Sequence, residues 1–179
     1  MPLLDLPRRF LHGLDVPSEI RIASARPGDC DAVFALICAL AEYERLADHV
    51  AGSADDLRRE LFCERPVIEA VIAWEGERAV GFALFFHNFS TFLTRRGLYL
   101  EDLFVVPEAR GRGIGKALIR HGARLAVQRG CGRYEWTVLD WNTPAIEFYE
   151  SIGAIVMPDW RVCRMTGDAL TRFAALTAP

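Results

Sequence analysis

The stretch "EARGRGIGKAL", residues 108–118, sets Gly111, Gly113 and Gly115 at alternate positions, interleaves Arg110 and Arg112, and runs directly into an amphipathic pattern. Glycines let a backbone turn tightly and present successive N–H groups, and the positive end of a following helix favours an anion. That is the chemistry of a pyrophosphate cradle. A P-loop would need glycine where Arg110 stands and Ser or Thr where Ala117 stands. A dinucleotide fingerprint would need a small residue at Lys116 or at Leu118, depending on the frame. Both familiar readings fail, which leaves a phosphate cradle of a third kind.

The elements around the loop follow from hydrophobic period and turn chemistry. Residues 20–25 alternate as a short strand, "RPGD" turns the chain, and Asp29 is placed to cap a helix carrying Val33, Leu36, Ile37, Leu40 and Ala41 on one face. Ser53 caps a shorter helix through Leu57 and Leu61, closed by Arg65 and Pro66. Two β-like runs, "VIEAVIAW" and "RAVGFALFF", flank "EGE", whose Gly76 suits a hairpin. A third run, "LYLEDLFVV", stops at Pro107, so the glycine loop sits between a strand and a helix that buries Ile114, Ala117, Leu118, Gly122, Leu125 and Ala126 and ends at Gly130. Residues 134–139 read as another strand. "WNTPAIEFYESIGA" is a short helix capped by Asn142 or Thr143, with Pro144 in its first turn and Gly153 as its stop. "DWRVCRMT" supplies a last strand, and Asp168 caps a final helix. The order describes one α/β domain with a mixed sheet over residues 19–179, preceded by an N-terminal extension over residues 1–18.

Bulk properties exclude several classes. The chain has 179 residues, enough for one buried core, with 51% hydrophobic and 25% charged residues and a net charge of −3. Such a balance argues against nucleic acid and against an anionic membrane as partners. No window is apolar for the roughly 18 residues of a membrane span. Five cysteines without a C-x-x-C pair suggest neither a disulfide framework nor a zinc site, and His12, His49, His87 and His121 are scattered, so no metal is expected. A cytoplasmic setting fits this cysteine usage.

The loop, the strand before it and the "WNTPAIEFYESIGA" helix together resemble the GNAT superfamily of acetyl-CoA-dependent N-acetyltransferases. That superfamily's loop pattern is Arg or Gln, two residues, Gly, one residue, then Gly or Ala, and Arg110, Gly113 and Gly115 fill it. "YLEDLFVVPEARGRGIG", "WNTPAIEFY" and the upstream "LAEYERL" are similar to the diamine branch of spermidine/spermine and thialysine acetyltransferases. The resemblance covers residues 20–175.

It implies acetyl-CoA as co-substrate, with its pyrophosphate on the amides of Arg110, Gly111, Arg112, Gly113, Ile114, Gly115 and Lys116 and its pantetheine arm along the strand holding Leu103, Phe104 and Val105. The side chains of Arg110, Arg112 and Lys116 either meet the 3′-phosphate or are solvated. Asn142 matches a residue that hydrogen-bonds acetyl-CoA, although helix capping explains it almost as well. Glu101 matches the acid assigned to amine binding or deprotonation, and Tyr149 the general acid that protonates the coenzyme A sulfur; the alternatives are an exposed strand carboxylate and a core tyrosine. Glu42, Tyr43 and Glu44 stand where the diamine branch binds its amine, and two carboxylates beside a tyrosine suit a cation, as a solvated helix face also would. Arg95 and Arg96, before the central strand, count against a long polycation. The resemblance therefore implies an N-acetyltransferase acting on a primary amine of a small molecule by direct attack in a ternary complex, and a homodimer. The alternatives are acetylation of a protein lysine or N-terminus and a non-catalytic acyl-CoA sensor, the latter needing neither Glu101 nor Tyr149.

Overall fold

Gly76 closes the hairpin as its sequence context demands. At φ +59° it begins a two-residue loop, residues 76–77, between β2 (Ile68–Glu75) and β3 (Arg78–Ser90), which pair antiparallel from Ile68 with Phe86 to Glu75 with Arg78. Glycine at the first central position is what such a tight loop requires, because the left-handed backbone carries no Cβ penalty there. The computed structural model describes residues 19–176, so the extension predicted over residues 1–18 lies outside the described residues. They form two compact units that divide between Thr137 and Val138.

In the first unit β1 (Ile20–Ser24) pairs antiparallel with β2, β4 (Arg95–Val105) pairs antiparallel with β3, and β5 (Tyr134–Trp136) pairs parallel with β4. The spatial order is the chain order, β1-β2-β3-β4-β5, in a mixed sheet. On one face α1 (Cys30–Tyr43) buries Val33, Leu36 and Leu40 against Ile72, Phe82, Leu84 and Phe104. Each such side chain contributes roughly 1.5–3 kcal/mol by leaving water. The helix α2 (Ala54–Phe62) adds Leu61 to a smaller cluster with Cys30 and Ala70.

A bulge in β4 determines what each face of the sheet carries. Leu84 lies opposite Asp102, but Phe85 lies opposite Leu100, which leaves Glu101 as an extra residue with no partner on β3. Directly paired residues share a face. Asp102 and Phe104 therefore point with Leu84 and Phe82 toward α1, while Leu98 and Leu100, both fully buried, belong to the opposite face with Phe85. Without the bulge, strict alternation would put all four on one side. The helix α3 (Ile114–Gln128) covers that opposite face, since a Cβ on Gly115 would touch the side chains of Leu103 and Val105.

The bulge also accounts for a shortened strand. The ladder between β4 and β5 runs from Leu98–Tyr134 to Leu100–Trp136 and stops where the bulge bends β4 away, so the strand expected over residues 134–139 ends at Trp136. Two local expectations also change. Ser53 does cap α2, accepting the Asp56 N–H at 3.2 Å, but Asp29 accepts the Arg26 N–H at 2.8 Å and closes the preceding turn instead of capping α1. Arg65 and Pro66 lie beyond the end of α2 at Phe62.

The second unit holds α4 (Thr143–Ser151) and α5 (Gly167–Ala174). Asn142 is the N-cap position of α4, Pro144 lies in its first turn, and Gly153 at φ +92° follows its end. Thr166 takes the N-cap position of α5, with Asp168 in the first turn. The strand expected from "DWRVCRMT" does not form among the described residues. An isolated extended segment has no ladder to satisfy its backbone groups, and this unit supplies no strand to pair with it.

Candidate active site

Three carboxylates come together where the bulge interrupts β4. Glu44 is the C-cap of α1, on the side of the sheet to which Asp102 points, and Glu101 stands exposed on the bulge itself. Burial, followed by the charges of Glu101 and then Glu44, pushes the Asp102 carboxyl up to about 6. Burial also raises Glu44 above the usual glutamate range. A carboxylate that pays this much to ionise beside two others is the kind of group that gains most from an incoming cation or a proton. Glu42, by contrast, is exposed.

Sequence reading selected Glu101 and passed over Asp102. Glu101 was singled out by its match to the acid of the diamine branch, whereas alternation says only that neighbours take opposite faces, and the bulge register shows that Asp102 is turned toward α1 and Glu44. Their adjacency in "YLEDLF" was the available signal.

Tyr43 packs beside this site. Its ring packs 6.4 Å from that of Phe104, and the Arg110 guanidinium lies 4.4 Å from the Tyr43 centroid and 5.6 Å from that of Phe104. Arg110 Nε also donates to the Val105 carbonyl at 3.0 Å. This stack fixes the end of α1, and with it Glu44, against β4.

The glycine loop begins with a 3-10 turn over Pro107–Ala109 and ends in α3. Gly111 has φ +74°, and Gly113, the N-cap of α3, has φ +77°. A Cβ at either would meet nothing within 4 Å, so the backbone conformation, not lack of room, is what requires glycine. At Gly115 an added Cβ would make ordinary contacts at 3.9 Å with Leu103 and Val105, which suits a position where alanine is an accepted alternative. The Ala117 N–H makes the first helical bond, to the Gly113 carbonyl at 2.9 Å, so the amides of Ile114, Gly115 and Lys116 have no acceptor within the helix. No acid occupies the first turn of α3. These amides and the helix end fit a pyrophosphate.

Two of the loop's basic side chains have partners within the fold. Arg110 is stacked as described, and Arg112 Nη2 pairs with Glu75 Oε1 at 2.5 Å. Phe104 is buried in the α1 cluster, and Leu103 and Val105 face α3, so only the backbone of residues 103–105 is available to an extended ligand. Beyond Leu100 the edge of β4 away from β3 has no strand beside it among the described residues. Strand-like pairing of an amide-bearing arm fits that edge.

In the second unit Tyr149 is half-buried on α4 with its ring 5.4 Å from that of Phe148. Asn142 makes no side-chain cap bond; its backbone carbonyl accepts the N–H groups of Ala145 and Ile146 at 3.0 and 3.1 Å. The capping explanation for an asparagine at this position is therefore not realised.

The profile of the Acetyltransferase (GNAT) family matches residues 37–154. The chain belongs to that family. The acetyltransferase is 36% identical over 168 residues to a thialysine N-epsilon-acetyltransferase from Sus scrofa, covering 88% of this chain and 98% of the relative. It is 46% identical over 116 residues to the L-ornithine N5-acetyltransferase NATA1 from Arabidopsis thaliana, covering 65% of this chain and 48% of that one. Among solved structures, an integron cassette protein from V. cholerae aligns with a TM-score of 0.75 at 30% identity, covering 88% of this chain and 99% of the other. No helix among the described residues of the acetyltransferase is long and apolar enough to cross a membrane.

Proposed function

We propose that the acetyltransferase moves an acetyl group from acetyl-CoA to a primary amine of a small molecule that carries a second positive charge. The observation behind this reading is the convergence of Glu44, Glu101 and Asp102 at the β4 bulge, on the strand whose far end leads into the glycine loop. The relatives named for thialysine and L-ornithine support it.

Acetyl-CoA supplies the activated acetyl thioester; the chain's residues supply binding, orientation and proton handling. The amides of residues 111–116 hold the pyrophosphate, and the open backbone edge of residues 103–105 pairs with the pantetheine arm. A primary amine with a pKa of about 10.4 is neutral in roughly one molecule in 2,500 at pH 7, a cost of about 4.6 kcal/mol. Asp102, ionised above about pH 6, is a better-matched proton acceptor than an ordinary carboxylate near 4. Glu101 and Glu44 attract the cation and hold its second charge. Tyr149 keeps the role of proton donor to the leaving thiolate, on the strength of its place in "WNTPAIEFY". Asn142 remains assigned to acetyl-CoA.

Arg95 and Arg96 lie at the opposite end of β4, six and five residues before Glu101, which is about 16–20 Å of strand rise. That exceeds the screening length of about 8–10 Å, so these arginines discriminate only against an amine long enough to reach them. A coenzyme A release assay across lysine analogues, short diamines, polyamines and peptides tests the proposal. Preference for the short dications is expected, and preference for peptides would redirect it to protein substrates.

A further inference from the structure

The β2–β3 hairpin does more than close the sheet edge. Val80 is an extra residue on β3, because Ala73 lies opposite Gly81 while Trp74 lies opposite Ala79, and such a bulge bends and twists the hairpin end. The Val80 carbonyl accepts the Val106 N–H at 3.0 Å, which seats the hairpin beside the exit of β4. From the final pair of the hairpin, Glu75 and Arg78, one side chain reaches each end of the loop: Arg78 pairs with Glu108 on the 3-10 turn, and Glu75 pairs with Arg112 next to Gly113. The two partners are four residues apart, and Arg110 between them is held by its stack on Tyr43. The loop is thus tied at three points through side chains, while the amides of Ile114, Gly115 and Lys116 precede the first helical bond.

We infer that Glu75 is a positioning residue for acetyl-CoA: by holding Arg112 it pre-orders the left-handed backbone at Gly111 and Gly113, so that the amides need little ordering when the pyrophosphate binds. Two glycines at positive φ are the residues with most conformational freedom to lose, and an untied loop would lose it on binding. The Arg112–Glu75 pair is suited to this task, because each side chain is only about one-third exposed, whereas Arg78 and Glu108 are both more than half exposed. The inference rests on the loop's assignment to acetyl-CoA.

Calorimetry with acetyl-CoA on the wild type, Glu75→Gln, Arg112→Gln and the double variant, with steady-state kinetics on the same four, tests it. Glu75→Gln should weaken acetyl-CoA binding by about fivefold, the size of one partly exposed ion pair, and raise KM for acetyl-CoA alike with kcat within about twofold. The double variant should bind no worse than Arg112→Gln alone, because Glu75 acts through that arginine. A Glu75→Gln protein that binds as well as the wild type, or more tightly through relief of repulsion between carboxylate and phosphate, overturns the inference, as do losses that multiply in the double variant. Those results would leave the loop assignment standing. Wild-type protein that fails to bind acetyl-CoA would instead remove the functional reading on which the inference depends.

Discussion

Asp102→Asn separates the electrostatic reading of the site from a purely structural one, because it predicts a gain in stability with a defined pH dependence. In the folded chain the Asp102 carboxyl titrates at about 6, against 3.8 for the free group, chiefly through burial and then through Glu101 and Glu44. A raised carboxyl pKa means that the folded state binds the proton more tightly than the unfolded state. Its stabilising contribution is therefore complete below pH 3.8 and is lost as pH rises through 6. That difference corresponds to about 3 kcal/mol, of which on the order of 1 kcal/mol falls between pH 5 and pH 8. Asparagine has nearly the same shape and does not titrate. Urea unfolding of wild type and Asp102→Asn at a series of pH values should show the variant gaining stability relative to wild type by about that amount between pH 5 and pH 8, while its acetylation rate falls sharply. A stability difference that stays constant across this range would refute the buried, repelled carboxylate. In wild type, kcat/KM for the amine should fall below about pH 6 as Asp102 takes up its proton.

Gly113→Val should abolish acetyl-CoA binding measured by calorimetry, since a β-branched residue at φ +77° is strained even though no neighbour crowds it; unchanged affinity in the folded variant would remove the loop from the site. Tyr149→Phe should lower turnover by about 10²-fold or more with little change in acetyl-CoA affinity, and turnover within about twofold of wild type would show that another group protonates the thiolate. Glu44→Gln should erase a preference of about fivefold for a diamine over a monoamine of equal length, a difference that added salt should also erode. Equal losses for both substrates would assign Glu44 to the scaffold.

Much of this protein was legible one segment at a time. Local rules sufficed for Gly76 in a two-residue loop, Ser53 as a cap, the apolar stripe of Val33, Leu36 and Leu40, and glycines at 111 and 113 turning a strand into a helix, because each depends on a few consecutive residues. The glycine spacing with Arg110, joined to "WNTPAIEFY", was enough to indicate the family. What failed locally was anything that depended on a partner. "DWRVCRMT" alternates like a strand, but no ladder is supplied within its unit, and the strand begun at Tyr134 ends when β4 bends away. The sequence left the side chains of Arg110 and Arg112 open between the 3′-phosphate and solvent, and the partners they have in the fold, Tyr43 and Glu75, lie far from them in sequence. The facing of Glu101 and Asp102 depends on pairing in the same way. A period of two gives adjacent residues opposite faces but does not say which face is which. Only the register of β4 against β3, with its one extra residue, turned Asp102 toward Glu44 and out of water.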